Sequence, residues 1–249
     1  MIAIAAVMIG SGLMMINEYS NRSKIEQTRE KMEEIMKMVK RYYIRFHRLP
    51  CPADPNLSFS DPSIGMETNC NTATITHTNA GALPTDAFGL HPNYMIDAWG
   101  NRFKYAVEFQ TSLNCNPNNG TPSPSAPTDT IKLISLAYGG GVGINGMYAT
   151  AIGIPTIAVA LISHGENGLG AHTGRSGSTN PASAEPHEVL NATDPYDLYA
   201  SVAVNSYDDI TYMYSYGQLI ATSPAIGGAC TNFADPLMQL YDEGIMYGR

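Results

Sequence analysis

One glycine-rich run has the spacing of a nucleotide-binding loop, Gly141-Val142-Gly143-Ile144-Asn145-Gly146. A G-x-G-x-x-G run after a strand can hold a pyrophosphate at the start of a helix, and Glu166 lies where an acid would bind the ribose. Only the short segment 147–152 separates the loop from Gly153-Ile154-Pro155, which leaves no room for that helix. We therefore expect a hairpin or insertion loop here and no catalysis.

The adjacent pair Ser163-His164 could be a nucleophile and its base. Neighbouring residues on a strand point to opposite faces of a sheet, so these two side chains would not meet. The glycines and asparagine that follow, Gly165, Asn167 and Gly168, favour a turn instead. The histidines also lack the H-x-x-x-H and H-E-x-x-H spacings of zinc sites. We expect no catalytic residue and no metal-binding histidine pair.

Asp208 and Asp209 are the remaining candidate ligands, since two adjacent carboxylates could bind calcium or cap a strand. A calcium site needs a spaced set of oxygen ligands, and one acidic pair does not supply it. We therefore expect no cofactor, and calcium stays the open alternative.

The charges are unevenly distributed along the 249 residues. Residues 1–48 carry nine basic and five acidic residues (9 − 5 = +4), whereas residues 49–249 carry five and 17 (5 − 17 = −12). The net charge of −8 argues against a nucleic-acid-binding protein, because phosphate binding needs a basic patch. The two segments are expected to face different surroundings.

The first 16 residues form an uncharged run in which Ser11 is the only polar side chain. As a helix the run would be about 24 Å long, shorter than the roughly 30 Å of a bilayer core. A removable signal peptide fits poorly, because no small-x-small cleavage site follows. We expect a membrane or filament-core segment whose large apolar side chains are Ile2, Ile4, Val7, Ile9, Leu13 and Ile16.

The apolar run continues into an amphipathic stem without an intervening proline. Apolar residues recur there with helical spacing, and the face expected to pack on a sheet is formed by Ile25, Met32, Ile35, Val39, Tyr42 and Phe46. Pro50 should end the helix, because a residue before proline avoids the α region. We expect one helix of about 46 residues, near 70 Å long, which is either a signal anchor with a stalk or a helix that packs among its own copies.

The remainder of the chain predicts a β-rich head. Strand-like runs occur at Phe103–Phe109, Thr130–Ala137, Thr156–Ser163 and Asp209–Tyr214. Long irregular stretches occupy 53–98, 110–128 and 164–206. We expect an α+β fold in which an antiparallel sheet of about four strands has the long helix across one face and carries large loop insertions.

Five short blocks follow the helix in order. They are Arg48-Leu49-Pro50-Cys51-Pro52-Ala53-Asp54-Pro55, Gly81-Ala82-Leu83-Pro84, the segment from Asp97 to Val107, the segment from Val159 to Gly168, and Tyr207-Asp208-Asp209-Ile210-Thr211. As an ordered set they resemble the bacterial type IV pilin and pseudopilin family, particularly the pilin-like proteins with an LPCPAD segment. The resemblance covers the helix and scattered blocks to about residue 215.

Two turns carry much of this resemblance. In that group a D-x-W-G-N turn leads into the first strand of the head, and an SHG-x-NG turn ends another strand. The matching residues are Asp97, Trp99, Gly100 and Asn101 in the first turn, and Ser163, His164, Gly165, Asn167 and Gly168 in the second. The resemblance implies a pilin-like fold: residues 1–16 as membrane or filament core, 17–48 as amphipathic stem, and 49–249 as head.

The resemblance also implies a function. The chain would be a structural subunit, minor or specialised, of a type IV pilus or type II secretion-like filament, without enzymatic activity. Its partners would be other pilin subunits, the inner membrane and the pilus assembly machinery, with no nucleic acid. It would cross the bacterial inner membrane once with its head in the periplasm, and would later lie in a cell-surface filament.

The family's leader peptide ends in a glycine, and a glutamate follows shortly after it. Aligning the apolar run places that glutamate at about Met1. We therefore expect that the leader and the start of the mature helix are missing from this chain.

Four cysteines, Cys51, Cys70, Cys115 and Cys230, are expected to form disulfides in a chain outside the cytoplasm. Of the three possible connectivities, closeness in sequence favours Cys51–Cys70, a loop of about 20 residues worth roughly 3 kcal/mol. That pairing leaves Cys115 with Cys230. Zinc binding would need closely spaced C-x-x-C pairs, and the sequence has none.

A second hypothesis is a membrane-anchored periplasmic enzyme or ligand-binding domain built around the loop Gly141–Gly146. Recovery of the protein with sheared filaments would favour the subunit hypothesis. Recovery from membranes alone would favour this second hypothesis.

Overall fold

The computed structural model describes residues 2–46, 49–68, 79–107, 132–134, 157–193, 198–200, 207–215 and 218–219. A long helix and a four-stranded antiparallel sheet form most of this part of the chain, so the fold is α+β. A two-stranded parallel sheet and a short second helix accompany them.

Helix α1 spans Ile2–Phe46 and is 45 residues long. Its buried residues recur at helical spacing, as expected for a helix with one side against a sheet, and they include Thr28, Met32, Ile35, Met36, Val39 and Tyr43. The opposite side is in solvent, where Arg22 pairs with Glu18 at 2.6 Å, one turn away. Burial of one face by tertiary packing therefore stabilises the second half of the helix.

Within the described ranges, no helix contains a stretch that is long and apolar enough to cross a membrane.

The described residues contain six strands in chain order: β1 Asn79–Ala82, β2 Lys104–Val107, β3 Lys132–Ile134, β4 Ile157–Ser163, β5 Leu198–Ala200 and β6 Ile210–Ser215. The main sheet has the order β1-β2-β4-β6. Tyr105 on β2 lies opposite Leu161 on β4, which in turn lies opposite Tyr212 on β6. This register places large apolar side chains in one row across the sheet.

The two faces of the sheet carry different cores, because side chains alternate along a strand. The main core contains Tyr105, Val107, Val159 and Leu161 together with Met32, Ile35, Met36 and Val39 of α1. The smaller core on the other face contains Ala106, Ile157, Ala160 and Ile162. All of β4 is buried, so it is the central strand of the fold.

β3 and β5 form a separate parallel pair, and helix α2, Pro186–Thr193, precedes β5. Of the strand run predicted at Thr130–Ala137, the described part, β3, thus pairs outside the main sheet, and β1 supplies the fourth described strand of that sheet. The stretches predicted as irregular at 53–98 and 164–206 contain β1 in the first and α2 and β5 in the second.

The sequence of β1, Asn-Ala-Gly-Ala, has none of the branched or aromatic residues that favour strands. Its pairing with β2 and with the segment after α1 overrides this propensity. Ala53 and Ala82 exchange two backbone hydrogen bonds of 2.9 Å. A Cβ atom at Gly81 would lie 2.6 Å from the Ala53 carbonyl oxygen, so only glycine permits this approach.

Two residues of the predicted helix face are less buried than the others. Phe46 does not pack on the sheet: it is 49% exposed, its ring lies 4.5 Å from that of Tyr42, and the Arg45 guanidinium lies over it. The core ends at Tyr42 and Tyr43, so Phe46 covers the end of the helix rather than the sheet. Ile25 is half-buried, one turn before the fully buried part of the face.

Candidate functional site

The two turns singled out in the sequence meet at the end of β4. Ser163, the last residue of β4, donates a hydrogen bond of 2.7 Å to Oδ2 of Asp97. The other oxygen, Oδ1, accepts from the backbone N–H groups of Trp99 at 3.0 Å and Asn101 at 2.9 Å. Burial raises the pKa of Asp97 above its ordinary value, and these hydrogen bonds offset part of that effect. The Asp97 carboxyl group thus shapes its own turn and joins it to the central strand.

The glycines of the second turn lie where a side chain would collide with neighbours. Gly165 and Gly168 both have a φ of 58°, the left-handed region that favours glycine. A Cβ atom at Gly165 would lie 2.3 Å from the Asp208 carbonyl oxygen. At Gly168 it would lie 2.6 Å from Nδ2 of Asn101. These glycines therefore permit the close contact between the two turns and the segment before β6.

Helix α1 is joined to the first turn by three polar contacts. Asn21 Oδ1 accepts a hydrogen bond of 3.2 Å from the indole N–H of Trp99, and its amide donates to Glu166 in the second turn. Two turns further along, Thr28 Oγ1 accepts from the backbone N–H of Ala98 at 3.2 Å. Lys31 Nζ donates to the Ile96 carbonyl at 2.6 Å. Both turns are therefore held against the stem.

The side chain of Arg102 forms hydrogen bonds with the backbone of the segment that follows α1. Its guanidinium is almost fully buried and donates to the carbonyl oxygens of Pro55 at 2.8 Å, Leu57 at 2.5 Å and Gly174 at 3.0 Å. Charged hydrogen bonds of this kind are the strong ones in proteins. The five sequence blocks thus belong to one connected region of the head.

An acidic cluster lies beside this region. It consists of Glu188 on α2, Asp208 and Asp209. Each of these residues has one carboxylate oxygen that lies within 4.8 Å of a carboxylate oxygen of the other two residues. Asn167 of the second turn joins them, because its backbone N–H donates to Asp208 at 2.8 Å and its amide donates to Glu188 at 2.9 Å. The acidic cluster therefore connects α2, the second turn and the start of β6.

The three carboxyl groups differ in their proton affinity. Burial is the main cause that raises the pKa of Asp208, to about 6, and the nearby Glu188 contributes to this rise. Burial likewise raises the pKa of Asp209. Burial acts to raise the pKa of Glu188 too, but the hydrogen bonds from Ser183, Asp208 and Asn167 outweigh it and the net shift is downward.

Two histidines and a tyrosine surround the acidic cluster. His164 Nδ1 lies 3.6 Å from Oδ2 of Asp209, and both side chains are almost completely buried. His187 Nδ1 lies 2.7 Å from Glu185. Tyr207 accepts a hydrogen bond of 2.8 Å from Asn191, and burial raises its pKa. Ser163 thus bonds Asp97 while His164 faces Asp209, so this pair has no nucleophile–base geometry.

Several residues that were singled out in the sequence lie outside the two turns and the acidic cluster. Cys51 is buried and disulfide-bonded, while Cys70, Cys115 and Cys230 lie outside the described residues. The loop Gly141–Gly146 also lies outside them. Ile2, Ile4, Val7, Ile9, Leu13 and Ile16 lie in the first part of α1. Gly100 occupies the first turn with a φ of 93°.

Sequence reasoning missed Asn21, Arg102 and Glu188 as members of this region. Arg102 directly follows the D-x-W-G-N turn and is one of only five basic residues in the head. This scarcity of basic residues is the one sequence signal that could have identified Arg102 as a member of the region. Asn21 and Glu188 carried no local signal, because their partners Trp99 and Asp208 lie far away in the chain.

Comparison with known proteins identifies no relative: no family model, no curated protein and no solved structure matches this chain. The geometry of the described residues is therefore the basis for a functional conclusion. It comprises a hydrogen-bonded junction between α1 and the two turns, and a largely buried acidic cluster.

Proposed function

We propose that this protein is a pilin-like structural subunit of a type IV pilus or type II secretion-like filament. The observation that supports the proposal is that α1 has two parts of different character. Its second half is buried on an antiparallel sheet, whereas its first sixteen residues carry no charge. A helix of this kind can be anchored by its apolar start and still belong rigidly to a folded head.

The contacts of the stem support this division. Tyr19, Arg22 and Ser23 are exposed, and full burial begins at Thr28. Of the residues of α1 from Glu18 onwards, Asn21 is the first that hydrogen-bonds to the head. In the proposal, the segment before it is covered by lipid, or by the corresponding helices of neighbouring subunits. The proposed assembly uses Ile2, Ile4, Val7, Ile9, Leu13 and Ile16.

The junction between α1 and the two turns supports a mechanical role. A subunit drawn out of a membrane by its helix must transmit force to its head without local unfolding. Asn21, Thr28 and Lys31 connect the stem to the first turn, and the apolar face of the stem is buried beyond them. The proposed partners are other pilin subunits, the inner membrane and the assembly machinery, with the head in the periplasm before assembly and on the cell surface after it.

Shearing cells tests the proposal. The full-length protein is expected with sheared filaments as well as in membranes. Replacing Ile9 by Asp should abolish its recovery with filaments, because a buried carboxylate in an apolar helix bundle is costly, whereas Ile9→Leu should preserve it. Protease resistance of the head provides a folding control for both variants. Recovery of the unaltered protein from membranes alone, and never with filaments, would refute the proposal.

A further inference from the structure

We propose that the head binds a small organic anion in a cavity beside the start of β2. The ligand carries a carboxylate or a phosphate group, which is the chemistry that the side chains around this cavity recognise. The cavity belongs to the head alone, so the inference is independent of the proposed role in a filament.

The cavity lies where four segments of the head come together. Its described walls include Ala80 of β1, Phe103 just before β2, His164 just after β4 and Ala192 of α2. Its volume is about 310 Å³, at the lower end of the roughly 300 to 1,000 Å³ of small-molecule sites. One water takes up about 30 Å³ in the liquid, so the cavity has room for a molecule of about ten non-hydrogen atoms.

Basic side chains are concentrated around the cavity, although the head as a whole is acidic. Residues 49–249 carry five basic and 17 acidic residues. Two of the five basic residues line the cavity together with two histidines, and none of the lining residues that the structure describes is acidic. The four side chains are Arg102, Lys104, His164 and His172. Because a cleft lined by one sign of charge concentrates ions of the opposite sign, this arrangement attracts an anion and repels a metal cation.

The two histidines each leave one ring nitrogen for a ligand. Nδ1 of His172 lies 3.1 Å from the Gly177 carbonyl oxygen, and Nδ1 of His164 lies 3.6 Å from Oδ2 of Asp209. These neighbours occupy the Nδ1 side of both rings, and neither Nε2 makes a hydrogen bond within the described part of the chain. A protonated imidazole nitrogen donates charge-assisted hydrogen bonds to an oxyanion. Both Nε2 atoms are therefore available to a carboxylate or phosphate group.

Arg102 retains part of its capacity to donate hydrogen bonds. Three of the five N–H groups of its guanidinium donate to the carbonyl oxygens of Pro55, Leu57 and Gly174. These acceptors are uncharged, and no carboxylate of a described residue lies within salt-bridge distance of Arg102. Asp54 acts on the guanidinium only from further away. The positive charge and two N–H groups therefore remain for an anion.

Lys104 offsets a local feature that would repel an anion. The last carbonyl groups of a helix carry partial negative charge, and α2 ends beside the cavity at Ala192 and Thr193. Lys104 Nζ donates to the carbonyl oxygens of Asn191 at 2.8 Å and Ala192 at 3.3 Å. The ammonium group thus neutralises this end of the helix and contributes positive charge to the wall of the cavity.

Titration of the purified full-length chain with three sugars that share one ring tests the proposal. Glucuronate carries a carboxylate, glucose 6-phosphate carries a phosphate, and glucose is the uncharged control. Ionic strength is held constant with NaCl, because salt screens charge attraction. We expect calorimetry to show saturable binding of at least one of the two anions, with a dissociation constant of about 1 mM or lower, and no binding of glucose. The anion that binds more tightly identifies the preferred group.

Two outcomes of this titration would overturn the proposal. One is that neither anion binds saturably up to roughly 20 mM. The other is that glucose binds as tightly as the anions, which would show that the cavity does not recognise charge.

The histidine rings report where the anion binds. In protein labelled with ¹⁵N, the anion should shift the Nε2 resonances of His164 and His172 along the saturation curve measured by calorimetry. The resonances of His91, which is exposed and does not line the cavity, should stay in place. Equal shifts of all three histidines would show unspecific binding and would count against the site.

Matched substitutions test the basic side chains. Lys104→Met and His172→Gln should each weaken anion binding by at least about tenfold, because each removes a charged donor. Lys37→Met, at an exposed lysine of α1, and His91→Gln are the controls and should bind like wild type. Unchanged affinity in both cavity variants would refute the proposal. Thermal unfolding confirms that each variant folds, and if one does not, the other variant and the wild-type titration decide.

Discussion

Ser163 and Asp97 lie 66 residues apart in the chain and are joined by a buried hydrogen bond of 2.7 Å. The bond connects the end of the central strand β4 to the turn that leads into β2. Because Asp97 also orders its own turn through Trp99 and Asn101, one carboxyl group determines how the two turns meet.

Removing the hydroxyl of Ser163 should destabilise the head. Ser163→Ala deprives the buried Oδ2 of Asp97 of its donor, which should lower the free energy of unfolding by about 1 to 3 kcal/mol. Urea denaturation followed by the fluorescence of the single tryptophan, Trp99, measures this loss. Ser60→Ala, at an exposed serine, should change stability by less than about 0.5 kcal/mol. Equal effects of the two substitutions would contradict the prediction.

The raised pKa of Asp97 predicts a pH dependence of stability. The folded state binds this proton more tightly than the unfolded state, so the stabilising contribution is complete below the ordinary pKa of 3.8. It is lost as the pH rises through the higher pKa of the folded protein. Relative to Asp97→Asn, the wild-type protein should therefore lose stability as the pH rises from about 3, below the ordinary pKa, towards neutrality.

Urea titrations of both proteins across this range, in EDTA, measure the difference. Asp61→Asn serves as the control, since Asp61 lies in a surface loop. A wild-type protein that gains stability relative to Asp97→Asn as the pH rises would show that the sign is wrong.

Two glycines with similar backbone angles should respond differently to alanine. Gly165→Ala places a Cβ atom 2.3 Å from the Asp208 carbonyl oxygen, whereas Gly89, with a φ of 66°, has no atom within 4 Å of that position. Gly89→Ala should cost about 1 to 2 kcal/mol for the left-handed conformation alone. Gly165→Ala should cost clearly more, because the backbone must move. Thermal unfolding of both variants measures the difference, and equal losses would argue against the close contact.

Arg102 should not be replaceable by lysine. Lys retains the charge but cannot reach the carbonyl oxygens of Pro55, Leu57 and Gly174 at once. Arg102→Lys should lower the free energy of unfolding by about 1.5 to 3 kcal/mol. Arg175→Lys, at an exposed arginine in the same part of the head, should have little effect. Chemical denaturation distinguishes them, and a tolerated Arg102→Lys would show that charge alone suffices.

The helix and the identity of the turn residues could be predicted from the sequence, because both depend on local patterns. Apolar residues at helical spacing between Met32 and Val39 must lie on one side of any helix they form. Glycines and asparagine after Ser163 favour a turn wherever that segment lies. The strand β4 was likewise visible as a continuous apolar run.

Tertiary structure alone decided which residues meet. The strand propensity of β1 is poor, and the strand exists because its backbone pairs with β2 and Ala53. Glu188 carries no sequence signal until packing of α2 brings it to Asp208 and Asp209. The physical reason is the same in both cases: hydrogen bonding and charge act over a few ångströms in space, whereas the sequence records only separation along the chain.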